Sequence, residues 1–532
     1  MSGAAWTPEA NADVSPDVLA WSPSGQSLLV YARDDDAPWS KAAYRRINVD
    51  TRRAEVLADA AVAPAADAQS YGRMLPRADW MGETALILGR PAGETSADLN
   101  WYAWRAGGPL NLTAGLRPGR RRLEAVDADG VVVGVADRLW RIDAAGHIQP
   151  LGQASPVTGA GLRVGERQAA NSRPSAQALP LAIAAGPDTR AAAVLRGAPR
   201  EIGVEAPIEE SLLVVADKAR ALASVRRDAH GVETLMLRQA GRPPRALATI
   251  NAQLAGVDFA TPRVVEHIGP HGQALKSWLY LPPGHKAGAK LALLVIPYAG
   301  RNWISAPARN APPASTLFLN AQLLAGAGYA VLLPSLPIDE TREPARGLAD
   351  DILKVVDAAG AVEPDLDLQR LALWGHSYGG WTVLNAATQS LRFKAVIASA
   401  FNADMVGHYG RGSLWGTVAV GEDVEIMVDA GWSELGQGRM GVPPWIDPER
   451  YVRNSALFEA EKITAPVMLV MGDMDSDPQQ SMAMFAALYR QNKDAISLVY
   501  HGEGHVYQTP ANIADLHARI LAFLKASLGP GS

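Results

Sequence analysis

The 532-residue chain contains no cysteine. Disulfides, cysteine-ligated metals and a thiol nucleophile are thereby excluded, and the redox character of its compartment stays open. Neither sign of charge is in excess: 50 Lys and Arg against 55 Asp and Glu leave a net charge of −5. That balance points to neither nucleic acid nor an anionic membrane surface. Long apolar runs are also missing, and stretches such as residues 291–297 and 329–334 fall far short of the roughly 20 residues a membrane span needs. The start, Met-Ser-Gly-Ala-Ala-Trp, has neither a basic segment nor an apolar core, so no signal peptide is visible. The expectation is a soluble protein, cytoplasmic or periplasmic, with a homo-oligomer left open and no cofactor or metal implied.

What is present is a globular composition, 48% hydrophobic and 20% charged, in a chain long enough for two large domains. Helical periodicity is nearly absent before residue 265. Short apolar phrases separated by Pro, Gly and Asn turns recur instead, as in Trp21-Ser-Pro-Ser-Gly-Gln-Ser-Leu-Leu-Val-Tyr31. Similar phrases at residues 85–90 with 100–115, at 131–151 and at 221–241 read as strand–turn–strand units, the last turning at Ala-His-Gly. Units recurring every 40–50 residues suggest a β-propeller-like domain over residues 1–265, with an irregular β-sandwich as the alternative. About five units can be marked.

From residue 266 onward the pattern changes to alternating strands and helices. An opening hairpin at 264–281 is followed by strands at 291–297, 329–334, 371–374, 393–398, 467–471 and 496–500. Helices are expected at 315–324, 348–359, 378–389 and 481–490. A last one starts near Ala511, with Ile513, Leu516, Ile520 and Leu524 on one face, introduced by Thr509-Pro510. Fully apolar strands alternating with helices mean a mostly parallel sheet covered on both faces, with ligands beyond the strands' carboxyl ends. Residues 266–532 are therefore expected to form an α/β-hydrolase-type domain.

Gly375-His-Ser-Tyr-Gly379 fits the G-x-S-x-G elbow, with an apolar strand before it and a helix pattern after it. A strand reversing straight into a helix forces the central residue into a strained conformation, which small neighbours make possible. A serine needs a base, and the base an orienting acid. Met471-Gly-Asp-Met-Asp-Ser-Asp477 follows one apolar strand and Tyr500-His-Gly-Glu-Gly-His-Val506 the next. Ser377, Asp475 and His505 are the expected triad, with Asp473 bracing its turn and His501 on the surface. Oxyanion donors are expected from the N–H of Tyr378 and from the loop after the 291–297 strand. That loop reads Ile296-Pro-Tyr-Ala-Gly300 and lacks the His-Gly-Gly of lipases, which nominates the phenol of Tyr298; a packing tyrosine is the alternative.

These residues resemble the prolyl oligopeptidase family of serine peptidases, a β-propeller followed by an α/β-hydrolase domain. The resemblance rests on Trp278-Leu-Tyr-Leu-Pro-Pro-Gly284, Tyr298-Ala-Gly300, Gly375-His-Ser-Tyr-Gly-Gly380, Gly472-Asp-Met-Asp475 and Gly502-Glu-Gly-His505. It is close over the second half and only architectural over the first. It implies Ser377 as nucleophile, Asp475 as orienting acid, His505 as general base and Tyr298 as oxyanion donor. There are departures. Pro334-Ser-Leu-Pro-Ile-Asp-Glu-Thr-Arg342 replaces the Arg-Gly-Ser-Gly-Gly-type loop of many relatives. Asp477 stands where an Asn or Arg often grips a substrate carbonyl, and the first half is short for seven or eight blades. Glu209-Glu210 is similar to the paired glutamates that hold a free N-terminus in dipeptidyl peptidases, though it lies beside a strand.

The expected activity is hydrolysis of short peptides, as an oligopeptidase or an aminoacyl or dipeptidyl type, with access gated by the propeller. Alternatives are an esterase or amidase acting on small non-peptide acyl compounds, and a catalytically silent propeller-based binding protein. Asn402, Met405 and Tyr409, in the segment after the 393–398 strand, are candidate pocket walls together with Asp477. The other reading of the first three is that they pack residues 402–463 onto the sheet. Gly436–Trp445 is expected to be a lid-like loop.

Overall fold

The computed structural model describes residues 12–531 apart from 35–36, 38–41, 58–76, 91–98, 117–120, 136–137, 158–178, 197, 308–319, 410–431 and 435. Two compact units result, dividing between Ala252 and Gln253.

The first unit is all β. Five four-stranded sheets follow one another along the described chain, over residues 12–56, 78–111, 121–152, 154–207 and 211–250, each with its strands in sequence order. Every neighbouring pair within a sheet is antiparallel, as its short turns require. Each consecutive pair of sheets shares an apolar core. Tyr31 and Tyr44 of the first meet Trp80 and Ile87 of the second, and Leu86 and Trp101 meet Val131 and Val133 of the third. The series continues with Val132 against Leu181 of the fourth, then Val194 against Leu222 of the fifth. Strand Gly130–Val135 shows why the pattern works. Its valines alternate between the core before it and the core after it, so all six residues are buried. Sheets stacked in this way, the inner three each sandwiched between two neighbours, are propeller blades.

Glu210 does not present a free carboxylate. Its side chain is 0% exposed, receiving Arg238 Nη2 at 2.5 Å and Ser224 Oγ at 2.5 Å. Burial alone would raise its pKa, but the bonds from Arg238 and Ser224 outweigh it and hold the carboxyl below its ordinary value. The exposed Glu209 is left beside it.

The second unit is built on one eight-stranded sheet. Numbered from the start of this unit, its strands are β1 (Arg263–Ile268), β2 (Ala274–Tyr280), β3 (Leu291–Val295), β4 (Ala330–Leu333), β5 (Leu366–His376), β6 (Phe393–Ser399), β7 (Val467–Gly472) and β8 (Ala495–Tyr500). They lie in the order β1-β2-β4-β3-β5-β6-β7-β8. The β1–β2 and β2–β4 pairs are antiparallel and the rest parallel. The described helices are α1 (Ala321–Gly326), α2 (Leu348–Val362), α3 (Tyr378–Gln389), α4 (Met405–Tyr409), α5 (Pro448–Arg453), α6 (Gln479–Arg490) and α7 (Pro510–Leu528). Of the helix expected at 315–324, residues 315–319 lie outside the described chain, and α1 opens at an Asn320 cap.

Period-two alternation assigns each central strand to two cores. Leu293, Val295, Leu371, Leu373, Val396 and Leu469 face the side covered by α2, α3 and α6. Leu294, Trp374, Ile397 and Val470 face the side covered by α1 and α7. On α7 Leu516, Ile520 and Leu524 are buried as its periodicity requires, with Ile513 at their margin. Among the described residues no helix is long and apolar enough to cross a membrane.

Removing Glu210 strands the guanidinium of Arg238, whose side chain is 14% exposed. Glu210→Ala is expected to destabilise the first unit by about 3–5 kcal/mol, while Glu209→Ala changes it by less than about 0.5 kcal/mol. Calorimetry should show an early transition for the first variant alone.

Candidate active site

The chain runs from β3 to β4 on one side and then back across to β5 on the other, so the sheet's switch point flanks β3. Ser377 stands at the end of β5 and Tyr298 follows β3, while Asp475 follows β7 and His505 follows β8. All four are at carboxyl ends of parallel strands.

The elbow is strained as the motif demands. Ser377 has φ 60° and ψ −128°, a left-handed conformation uncommon for a residue with a side chain. A Cβ on Gly375 would lie 2.0 Å from the carbonyl oxygen of Gly379, and one on Gly380 2.7 Å from Cβ of Phe401. Glycine is therefore required at both positions. Ser377 N–H donates to the Ser399 carbonyl on β6 at 2.9 Å, tying the turn to the sheet.

Ser377 Oγ lies 2.8 Å from His505 Nε2, and His505 Nδ1 lies 3.1 Å from both oxygens of Asp475. Burial would raise the pKa of Asp475, whose side chain is 3% exposed, but bonds from His505 and Ser476 N–H prevail and hold it low. The bond to Asp475 in turn raises His505 above the ordinary 6.5, against the opposing effect of burial. A second imidazole, His376, lies 5.2 Å from the His505 ring. Burial, with the nearby His505, pushes it down to about 3. Of the two rings, His505 alone is held above the ordinary imidazole value.

Two loops carry Asp475 and His505, and they hold each other. A Cβ on Gly472 would lie 2.1 Å from the carbonyl oxygen of Glu503, so the loops touch backbone to backbone. Met474 N–H donates to that same oxygen at 3.0 Å. Asp473 receives Gly502 N–H at 2.7 Å and pairs with His501 at 2.9 Å, and His501 is largely exposed. The Gly-Glu-Gly segment is less free than its glycines suggest. Glu503 is 2% exposed and accepts from Gln508 N–H, Thr509 N–H and Asn512 Nδ2 at 2.7–3.0 Å. Thr509 makes no side-chain cap, so the anion at the start of α7 is Glu503.

The Tyr378 N–H is in the first turn of α3, where helical geometry supplies no acceptor. The Tyr298 ring lies 6.1 Å from that of Tyr378, its loop tied down by Ala299 N–H to Thr382 Oγ1 at 3.3 Å. The Tyr298 hydroxyl receives the amide of Gln437 at 3.0 Å.

A cavity of about 160 Å³ opens beside Ser377, walled by Phe401, Asn402, His408, Trp432, Ser476 and Asp477 among others. Asn402 and Asp477 thus line this cavity. Met405 and Tyr409 do not. Met405 is fully buried in the core, and Tyr409 donates to Glu434 at 2.6 Å with its ring against Trp445 and Tyr451. Phe401, His408, Trp432 and Gln437 had no motif to announce them; the aromatic content of 401–409 was the one available signal. The possible cation ligands His285, Glu363 and Asp365 group near the opposite strand ends, where Arg263 and Gly288 N–H already occupy the two carboxylates.

Residues 315–531 match the model of the prolyl oligopeptidase family. A segment of 186 residues is 28% identical to dipeptidyl peptidase family member 6 of Caenorhabditis elegans, covering 34% of this chain and 23% of that protein. The match thus spans about a quarter of that relative's length. The fold is similar to dipeptidyl peptidase 4 of Porphyromonas gingivalis, with TM-score 0.59 and 16% identity, covering 96% of this chain and 74% of that one. A puromycin-hydrolyzing peptidase of Mycobacterium tuberculosis gives 0.58 and 17%, covering 98% and 80%. Pyrococcus horikoshii acylaminoacyl peptidase gives 0.53 and 17%, covering 98% and 89%.

His505 accepts a proton only when neutral, so activity is expected to fall as pH drops through its raised pKa. The acid limb of kcat/KM should inflect above 6.5. Asp475→Asn should bring that inflection down and lower kcat by about 10³–10⁴; an unmoved limb in the variant would exclude the Asp475–His505 coupling.

Proposed function

We propose that this chain, whose residues 315–531 match the model of the prolyl oligopeptidase family of serine peptidases, hydrolyses short peptides through an acyl-enzyme on Ser377. The observation that carries this reading is the hydrogen-bonded line from Ser377 through His505 to Asp475 at three strand ends. Ser377 Oγ attacks the scissile carbonyl carbon as its proton passes to His505 Nε2, and Asp475 steadies the imidazolium that forms. The carbonyl oxygen, now an anion, receives Tyr378 N–H and Tyr298 O–H. As the C–N bond breaks, His505 gives its proton to the departing amine. Water, deprotonated by the same nitrogen, then releases the acid and regenerates the serine. Loss of one oxyanion donor in such a site costs about 10²–10³ in kcat.

The cavity supports a preference for cationic substrates. Asp477 is 5% exposed, with Gln480 donating to Oδ2 at 2.8 Å and His408 Nδ1 at 3.7 Å from the same atom. A carboxylate there accepts from ammonium or guanidinium and cannot donate to a substrate carbonyl. Trp432 and Phe401 supply aromatic wall beside it. The substrate group that fits is a Lys or Arg side chain or a free α-ammonium.

A fluorophosphonate should label the protein stoichiometrically and fail to label Ser377→Ala; undiminished labelling of that variant would sink the mechanism. Peptide anilides should be turned over, whereas hydrolysis of p-nitrophenyl acetate with no peptide cleavage would make the protein an esterase. Asp477→Asn should lower kcat/KM for lysyl and arginyl anilides at least about tenfold relative to leucyl ones, as loss of a charge-assisted bond implies. Acetylating the α-amine separates the two sources of positive charge. Equal losses on charged and neutral substrates would overturn the preference.

A further inference from the structure

We propose that Gln437 is a positioning residue that holds the Tyr298 hydroxyl with its proton directed at the oxyanion. This rests on the reading of Tyr298 as an oxyanion donor.

The argument is one of donors and acceptors. The Trp432 indole N–H meets Gln437 Oε1 at 3.3 Å, and Gln437 Nε2 meets Tyr298 Oη at 3.0 Å. An indole N–H can only donate. The amide oxygen of Gln437 must therefore face Trp432, which turns the NH₂ group towards Tyr298. With an amide donating to it, the phenol oxygen is an acceptor on that side. Its single proton has no use for Gln437 and must serve an acceptor elsewhere. The donated bond also polarises the phenol O–H, which makes it the stronger donor.

Each member of this line is fixed. Gln437 sits in a tight loop closed by three backbone bonds: Gly438 N–H to Trp432, Met440 N–H to Ser433 and Gly441 N–H to Glu434, each at 2.9 Å. A Cβ on Gly438 would lie 2.6 Å from the Ser433 carbonyl oxygen, so the loop has no slack there. Trp432 stands edge-on to Tyr378 at 5.9 Å and to His408 at 4.9 Å. The Arg301 guanidinium lies 5.5 Å from the centre of the Tyr298 ring, which restrains the ring by a cation–π contact. Trp432 also walls the cavity beside Ser377. One hydrogen-bonded line thus runs from the cavity wall to the oxyanion donor.

Gln437→Glu inverts the logic with little change in shape. One carboxylate oxygen still accepts from Trp432, while the other captures the Tyr298 proton. The probes are inactivation by a fluorophosphonate and turnover of p-nitrophenyl acetate, both of which place an oxygen in the same hole. Gln437→Glu should lower the inactivation rate and kcat at least about tenfold, a part of the 10²–10³ that a lost donor costs. KM and the melting temperature should stay near their starting values. Tyr298→Phe should fall at least as far, and the double variant no further than Tyr298→Phe alone. If Gln437→Glu does not fold, Gln437→Leu replaces it, with a smaller loss in kcat at unchanged KM. Normal kcat in the Gln437 variant, or losses that multiply in the double variant, would overturn the inference. A normal rate for Tyr298→Phe would instead overturn the donor reading beneath it.

Discussion

Everything in the candidate site follows from one backbone constraint: β5 must reverse into α3 at a single residue. Ser377 meets it with φ 60°, at a cost of about 1–3 kcal/mol that surrounding structure has to sustain. The sheet sustains it, since β5 is buried between β3 and β6 and α3 is buried along nearly its whole length. Three properties come with that turn. Gly375 and Gly380 become obligatory because carbonyl oxygen and Phe401 occupy the places of their side chains. The Tyr378 N–H is left pointing out of a helix start. The serine hydroxyl is lifted clear of the sheet to where loops from β3, β7 and β8 can reach it.

The second requirement is that Asp475 and His505 be placed together, and their loops are tied directly to each other. β7 and β8 are parallel neighbours in register from Val467 with Ala495 to Gly472 with Tyr500, so both leave the sheet at the same level. Gly472 then lets the β8 loop pack on the β7 loop, and Asp473 bonds across to Gly502. Glu503 finishes the lock by spending its charge on the N–H groups at the start of α7. Its pKa is kept low by those bonds in spite of burial. A buried anion at a helix start thereby sets the position of a histidine two residues away.

The fold was legible because both halves are written in strong local patterns. Alternation with turn residues marked strand–turn–strand units such as 131–151, and apolar runs with a 3.6-residue successor marked β5–α3. The hydrogen-bonded line of Ser377, His505 and Asp475 was legible because an α/β-hydrolase sheet carries such residues at strand ends in the chain order Ser, Asp, His, and two of the ends carry glycine loops. Gln437 and Trp432 were not, since their meaning lies in which atom faces which, across 139 residues from Gln437 to Tyr298. Met405 and Tyr409 misled for a related reason. In a short helix after a strand, sequence shows that apolar side chains cluster but not which side of the helix meets the cavity. The role of Glu503 was not legible, because no local rule says that a carboxylate between two glycines will turn back to cap the next helix.

Asp475 and Asp477 show how environment divides labour between identical side chains in one loop. Asp475 is enclosed with His505 and Ser476, so its charge is directed at the imidazole. Asp477 lies two residues on, where the loop turns into α6, and its carboxylate meets Gln480 and His408 on the cavity wall. On the proposed mechanism the first would stabilise a charge that develops during reaction, and on the proposed specificity the second would stabilise a charge the substrate brings. An Asn or Arg at 477 would donate to a substrate carbonyl, whereas an acid withdraws that contact. Affinity must then come from elsewhere, and in this cavity the aromatic faces of Phe401 and Trp432 beside a carboxylate are what a cation would find. Binding of such a cation would offset the negative charge of Asp477, leaving Asp475 as the principal anion opposite His505 when the imidazolium forms.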